Sequence, residues 1–419
     1  MEKTNNKTKS FERQGIIVFA MSIFASGLNY LFQILSGRIL DPASYGELNS
    51  IFSIMNIVAI IGNSLGLSIV KYIAETKDEN EQIGANVINI FRKSIIVGIP
   101  LACILSLVMT TCMKYNAVSS ILSSFSMMMM CIAFVLYGVL QGKKEFFQVG
   151  IYNLLQPLSK IIIGTALLLL GLHYNFVFVA ISFGALLCIL YARKTNPEIL
   201  TKITDKRVKS TTDEIYKYFF FTLISMICLT AFNNIDVLLV RNHFDEMIVG
   251  QYSSAALFGK IILYIPQALT IMMVPIVAEH NGNEKKTLFK TTAYSLGLSM
   301  FASVALYVLR NFVIKILMGE KYLPSADYIL PVCCMMLPLV GITVFINYMV
   351  AFGDKWFASI SGIVGIAAII LISGLTSSSV NLMIYSISVV YIIMFMVLMC
   401  RCIIITNRQY KCKIQPEKL

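Results

Sequence analysis

The sequence predicts an all-α, polytopic membrane protein with about 12 transmembrane helices in two six-helix lobes, related by a pseudo-twofold axis along the membrane normal. Three observations predict it: the apolar composition, the placement of the basic residues and an internal repeat. Hydrophobic residues make up 57% of the 419 residues, and only 13% are charged, whereas a soluble domain has about 25% charged residues. Because long apolar runs recur along the whole chain, we expect helical spans.

The apolar runs predict twelve spans. They cover residues 14–37, 47–72, 88–112, 118–140, 147–171, 174–192, 215–241, 250–278, 290–312, 326–351, 356–374 and 381–404. The basic, polar stretch after the sixth span predicts a linker. We therefore expect an N-terminal lobe over 1–193, a cytoplasmic linker over 194–214, a C-terminal lobe over 215–404 and a cytoplasmic tail over 405–419.

The basic residues predict the orientation. With the N-terminus inside, 26 of the 34 Lys and Arg residues lie on the cytoplasmic side and six on the outer side, and Lys160 and Lys260 lie within spans. Cytoplasmic segments are typically enriched in Lys and Arg, so we expect both termini in the cytoplasm. The same distribution accounts for the net charge of +12 without a nucleic-acid partner.

An internal repeat relates the two halves. A shift of 204 residues aligns 20–75 with 224–279 without a gap, and 12 of the 56 pairs are identical. Polar residues carry the match, as in Asn29 with Asn233 and Asp41 with Asp245. Six spans per half give both halves the same orientation, which is typical of parallel transporter repeats.

The ten cysteines and three histidines do not have the spacing of a zinc site or a disulfide framework. Most of the cysteines lie in apolar runs, where they are expected to act as small core residues. We predict no cofactor, no metal and no catalytic residue.

Two stretches resemble the polysaccharide biosynthesis or oligosaccharide flippase family, within the multidrug, oligosaccharidyl-lipid and polysaccharide exporter superfamily. "GRILDPASYGELNS" (37–50) is similar to the family's L-x-P-x-x-Y/F-G block after the first span, and the stretch 233–279 is similar to its D-x-x-L/V and G-x-Y blocks. The resemblance implies a flippase of the bacterial cytoplasmic membrane. Its substrate would be a polyprenyl-pyrophosphate-linked oligosaccharide, moved to the outer leaflet for surface polysaccharide assembly by alternating access, coupled to an ion gradient. Membrane lipids surround such a protein, and polysaccharide polymerases and glycosyltransferases are its candidate partners.

An anionic pyrophosphate crossing the membrane needs cations within the cavity. The candidate cavity residues are Lys160, Lys260, Arg38, Arg241, Asn29 and Asn233. Each also has a structural interpretation: an ion pair for either lysine, interfacial anchoring for either arginine, and helix packing for either asparagine.

Asp236 is the candidate for ion coupling. It lies within the seventh span, where a carboxylate costs about 2.5–3.5 kcal/mol. We expect Asp236 to face Lys260 and the pairing to respond to a proton or a cation. The repeat places Phe32 and Asn56 at the equivalent first-half positions, so the charged pair is specific to the second half.

Two other functions remain open from the sequence. A drug or metabolite cation antiporter of the related extrusion family would have the same spans and repeat. An integral-membrane glycosyltransferase, polymerase or ligase is disfavoured, because such enzymes carry a large outer loop. The longest predicted outer loop here, 311–325, has only about fifteen residues. No glycine-rich phosphate-binding motif is present in the sequence.

Overall fold

The computed structural model describes residues 2–75, 80–197, 208–264, 266, 269–270, 273, 277, 284–352 and 355–414. In the first half of the chain the helices are α1 (Glu2–Ile39), α2 (Pro42–Glu75), α3 (Asn80–Thr111), α4 (Ala117–Gly142), α5 (Phe146–Ser159), α6 (Thr165–Leu169) and α7 (Phe176–Thr195). In the second half they are α8 (Val208–Phe232), α9 (Ile235–His243), α10 (Glu246–Tyr264), α11 (Glu284–Val308), α12 (Arg310–Leu317), α13 (Ala326–Phe352), α14 (Lys355–Leu375) and α15 (Val380–Ile414). A π-helical turn, Lys160–Gly164, joins α5 to α6, and a 3-10 helix, Glu320–Ser325, precedes α13.

The prediction of an all-α polytopic membrane protein is confirmed. Within the described residues, 8 helices are long and apolar enough to cross a membrane, or 9 if the bent pair of α8 and α9 is one span. The predicted number of twelve stays a prediction, since the spans 14–37 and 250–278 include side chains outside the described set.

The chain forms two compact units. Unit 1 contains Met1–Asp41 and Ile54–Met226, and unit 2 contains Pro42–Ser53 and Ile227–Leu419. The first three turns of α2 therefore belong to unit 2, and most of α8 belongs to unit 1. These units do not have the same boundaries as the predicted lobes 1–193 and 215–404, because the prediction assigns every span as a whole to one side of the linker.

Unit 1 packs its helices closely through glycines. A Cβ atom added at Gly138 of α4 would lie 2.4 Å from the Gly66 carbonyl oxygen of α2, so the two backbones are in contact. Tyr152 of α5 donates a hydrogen bond to the Ala133 carbonyl of α4 at 2.6 Å. Small residues allow this approach in membranes, where packing rather than water exclusion drives helix association.

Unit 2 contains an even closer contact. A Cβ atom at Gly250 of α10 would lie 1.7 Å from the Pro42 carbonyl oxygen, and one at Gly46 would lie 2.5 Å from the Gly250 amide nitrogen. Gly46 and Gly250 occupy equivalent positions of the internal repeat. The contact therefore joins the two copies of the repeated segment within unit 2.

Candidate functional site

In unit 1, Lys160 lies where the fifth span loses its regular α-helical geometry. Pro157 lies inside α5, and Lys160 begins the π-helical turn that follows. Proline has no N–H to donate and disturbs the preceding helical turn, and single π-helical turns occur frequently at functional sites. The geometry places a half-buried lysine near the middle of the span Phe146–Leu169.

The Lys160 ammonium group contacts α1. It donates a hydrogen bond to the Asn29 side-chain oxygen, and its Nζ lies 5.1 Å from the centroid of the Phe32 ring. Phe32 is fully buried, and its edge lies 3.1 Å from a Cβ position at Gly164, so Gly164 leaves room for the ring. The amide of Asn29 and the aromatic face of Phe32 therefore orient the ammonium group.

In unit 2, the seventh span is broken. The sequence predicts one span over 215–241, but the structure bends the chain by 55° between α8 and α9. The Asn233 and Asn234 side chains donate to the Leu229 and Thr230 carbonyls at 2.9 Å, and Tyr391 of α15 donates to the Phe232 carbonyl at 2.8 Å. These bonds occupy backbone carbonyls near the end of α8, which the interruption would otherwise leave unsatisfied in an apolar environment.

Asp236 follows this break directly. Its side chain is 0% exposed, in the first turn of α9, where the helix dipole favours a negative charge. Tyr252 of α10 donates a hydrogen bond to Asp236 Oδ2 at 2.7 Å. Asp236 Oδ1 has no hydrogen-bond partner within the described part of the chain. The carboxylate therefore retains an acceptor for a proton or a small cation.

Lys260 makes no direct ion pair with Asp236, although the two charges interact electrostatically. Its Nζ donates instead to the Asn234 side-chain oxygen at 3.3 Å, and Tyr252 occupies one oxygen of Asp236. The break explains the difference, because it presents the Asn234 side chain to Lys260 two residues before Asp236. Lys260 and Asp236 still lie in one small polar region around the interruption of the seventh span.

The two candidate arginines have different surroundings. Arg38 is exposed in the last turn of α1, where a cation complements the helix dipole. Arg241, in the last turn of α9, forms ion pairs with Glu47 of α2 at 3.3 Å and Glu246 of α10 at 3.5 Å. Its side chain is only 14% exposed. Arg241 thus fixes the beginning of α2 within unit 2.

Reversing both charges of the Arg241–Glu47 pair tests this role. We expect Glu47→Arg or Arg241→Glu alone to lower thermal stability in detergent, because the first places two arginines together and the second adds a carboxylate beside Glu47 and Glu246 in a half-buried site. The double variant should recover part of the loss, since it restores the pair with position 47 but not the one with Glu246, and stability is measured as the melting temperature of the purified protein. Additive losses in the double variant would show that the two residues do not interact.

The predicted site residues therefore fall into three groups. The first group, in unit 1, is the hydrogen-bonded pair of Lys160 and Asn29. The second group surrounds the break in unit 2 and consists of Asp236, Lys260 and Asn233. The third group is the two arginines, which lie at helix ends. Sequence reasoning did not identify Tyr252, Tyr391 or Glu47, which contact the site across long sequence separations. The internal repeat gave one indication of this arrangement. It makes Phe32 and Asp236 equivalent positions, and Phe32 lies near Lys160 while Asp236 lies near Lys260.

Solved structures show that this fold is shared. An inward-facing multidrug resistance MATE family transporter of the MOP superfamily matches with a TM-score of 0.73 and 12% identity, over 94% of this chain and 99% of that chain. The lipid II flippase MurJ, in an inward closed conformation, matches with a TM-score of 0.71 and 13% identity, over 92% and 87%. The Vibrio cholerae MATE transporter VcmN in the bent form matches with a TM-score of 0.61 and 12% identity, over 96% and 98%. No curated protein matches the chain.

The fold is therefore that of the MATE transporters and of the flippase MurJ, and the chain is a multi-pass membrane protein. The family model described as "Polysaccharide biosynthesis protein" matches residues 13–281. Because this is more than half of the chain, the protein belongs to the polysaccharide biosynthesis protein family. The family resemblance found in the sequence is confirmed.

Proposed function

We propose that the protein moves a polyprenyl-pyrophosphate-linked oligosaccharide to the outer leaflet of the bacterial cytoplasmic membrane, by alternating access and with both termini in the cytoplasm. The observation that carries the proposal is Lys160, a cation in the middle of an apolar span, hydrogen-bonded to an amide. Membership of the polysaccharide biosynthesis family supports the sugar component.

The chemistry of the substrate matches the two mid-span lysines. A pyrophosphate carries negative charge that hydrocarbon does not solvate, and charge-assisted hydrogen bonds from ammonium groups offset that cost. Lys160 and Lys260 are each positioned by an asparagine side chain. In the proposed site each lysine exchanges the amide oxygen for a phosphate oxygen when the headgroup binds and returns to the asparagine when the headgroup leaves.

Asp236 supplies the proposed ion coupling. A buried carboxylate next to a helix interruption changes its interactions when it binds a proton or a cation. Tyr252 is hydrogen-bonded to Asp236, and Lys260 is hydrogen-bonded to Asn234 at the break. A change in the charge of Asp236 would therefore alter contacts that hold the bend of the seventh span. In the proposed mechanism, an imposed ion gradient therefore acts in unit 2, by changing the occupancy of Asp236.

Export of a cationic drug is the second candidate, since MATE transporters share the fold. The positions of the charges favour the anionic substrate. Lys160 and Lys260 would repel a cationic drug within the apolar spans, and the fully buried Asp236, with one oxygen bound by Tyr252, suits a proton or a small cation better than a drug molecule.

Reconstituted transport tests the proposal. We expect proteoliposomes to move a fluorescent polyprenyl-pyrophosphate oligosaccharide to the opposite leaflet, and Lys160→Met to slow this by roughly tenfold or more, the equivalent of one lost charge-assisted hydrogen bond. Lys160→Arg should retain part of the rate, because it keeps the charge but changes its shape.

Lys286→Met is the matched control, because Lys286 is an exposed lysine in the first turns of α11, and its rate should equal that of the unmodified protein. Transport of a cationic dye, together with no movement of the lipid-linked sugar, would overturn the proposal. An unchanged transport rate in Lys160→Met would show that Lys160 does not bind the headgroup.

A further inference from the structure

A short helix follows the ninth predicted span on the side that the basic residues assign to the outside. α11 passes from Lys290 to the beginning of α12 at Arg310. This distance of twenty residues corresponds to about 30 Å of helix, which is the thickness of the hydrocarbon core. The chain has therefore crossed the core when α12 begins.

α12 has three distinct faces. Ile314, and Met318 directly after the helix, are 0% exposed and belong to the buried part of unit 2. Asn311 and Lys315 form an exposed polar face. Leu309, Phe312 and Ile316 form an apolar face and are 49%, 64% and 48% exposed. Their spacing of three and four residues places them on one side of the helix.

The apolar face of α12 continues the lipid-facing surface of α11. Phe301, Val304 and Val308 at the end of that span are 74%, 57% and 71% exposed, as expected for side chains that contact lipid. Leu309, which lies between α11 and α12, continues this exposed apolar surface to Phe312 in the short helix. An interfacial amphipathic helix has this combination of an apolar face, a polar face and a position at the edge of the membrane.

We propose that α12 is an interfacial helix that lies in the headgroup region of the outer leaflet, with Leu309, Phe312 and Ile316 inserted among the upper parts of the phospholipid chains. The segment 311–325, predicted as the longest outer loop, contains most of α12 and the 3-10 helix.

The charges around the helix indicate which lipids it binds. Lys315 forms an ion pair with Glu320 at 2.7 Å, and the Arg310 guanidinium lies over the Tyr307 ring at 4.3 Å. Glu320 compensates Lys315 locally, whereas Arg310 keeps its positive charge, so the proposed insertion depends on burial of the three apolar side chains and does not require anionic lipid. We therefore expect insertion into a bilayer of zwitterionic phospholipid.

The proposed membrane contact is connected to the beginning of α2 through the 3-10 helix. Gly319 reverses the chain with a φ of +97°, a value that favours glycine. Tyr322 then packs edge-on against Tyr45 of α2 with the ring centroids 5.5 Å apart. The corresponding connection of the first half, residues 112–116, contains no helix. The proposed membrane contact is therefore specific to the second half of the repeat.

Tryptophan fluorescence tests this placement directly. The chain has one tryptophan, Trp356, so a Trp356→Phe background carries a single reporter, Phe312→Trp, in phosphatidylcholine proteoliposomes. We expect strong loss of fluorescence with lipids brominated near the headgroup, a smaller loss with lipids brominated near the chain ends, and little loss with aqueous iodide.

Two matched reporters set the scale. Asn311→Trp, one residue away on the polar face, should be quenched by iodide. Phe301→Trp, inside α11, should be quenched by the deeply brominated lipid. Quenching of Phe312→Trp mainly by iodide would show that the face contacts water, and quenching by neither agent would show that a protein or a second copy covers it. Either result overturns the proposal, and neither depends on the transported substrate.

Discussion

Replacing Asp236 with asparagine is expected to abolish gradient-driven transport while leaving the protein folded. The change preserves the shape of the side chain, and an amide oxygen still accepts the hydrogen bond that Tyr252 donates to Oδ2. It removes the negative charge that would bind a proton or cation at Oδ1, the oxygen without a hydrogen-bond partner among the described residues. Because a neutral amide is less costly to bury than a carboxylate, stability should be equal or higher.

The measurement is the initial rate of lipid-linked sugar movement at a series of imposed proton and sodium gradients. In the unmodified protein, the rate should rise with one of the two gradients, and in Asp236→Asn it should not respond to either. Tyr252→Phe should give an intermediate response, since it removes one hydrogen bond but keeps the carboxylate. Asp245→Asn is the control, because Asp245 is exposed between α9 and α10. A normal gradient response in Asp236→Asn would contradict the coupling role.

Replacing Gly250 with alanine is expected to cause a large loss of stability, because the added Cβ makes the shortest contact found for any described glycine. The new Cβ would lie 1.7 Å from the Pro42 carbonyl oxygen and 2.5 Å from the Pro42 carbonyl carbon, so two backbones must separate by more than an ångström. Overpacking of this kind typically costs about 1–3 kcal/mol and sometimes more. The separation also disturbs the Arg241–Glu47 ion pair, which holds the same part of α2.

The expected result is a lower melting temperature and a lower yield of monodisperse protein in detergent. Gly297→Ala is the matched control, because a Cβ at this exposed position of α11 meets nothing within 4 Å. Alanine there should leave the melting temperature unchanged or raise it slightly, since it favours the helix by up to about 1 kcal/mol. Equal melting temperatures for the two variants would show that Pro42–Ser53 does not pack on α10 in the membrane protein.

The sequence by itself determined the fold class. Apolar runs and the placement of basic residues depend on the cost of exposing polar groups to hydrocarbon, and that cost acts on each segment separately. For the same reason, Lys160, Lys260 and Asp236 were recognisable as exceptional from their positions alone. The repeat added Gly46 with Gly250 and Phe32 with Asp236 as equivalent positions, which the structure then placed at a helix contact and near mid-span lysines.

Only the tertiary structure decided the partners of these residues. The partner of Lys260 is Asn234 rather than Asp236, because the seventh span breaks at that point. The Phe232 carbonyl at this break accepts a hydrogen bond from Tyr391, which is 159 residues away along the chain. Arg241 likewise contacts Glu47 across 194 residues, and Pro42–Ser53 packs with unit 2. Hydropathy and periodicity describe each helix separately, whereas these contacts depend on which helix faces meet, and that choice is made by the packing of the whole chain.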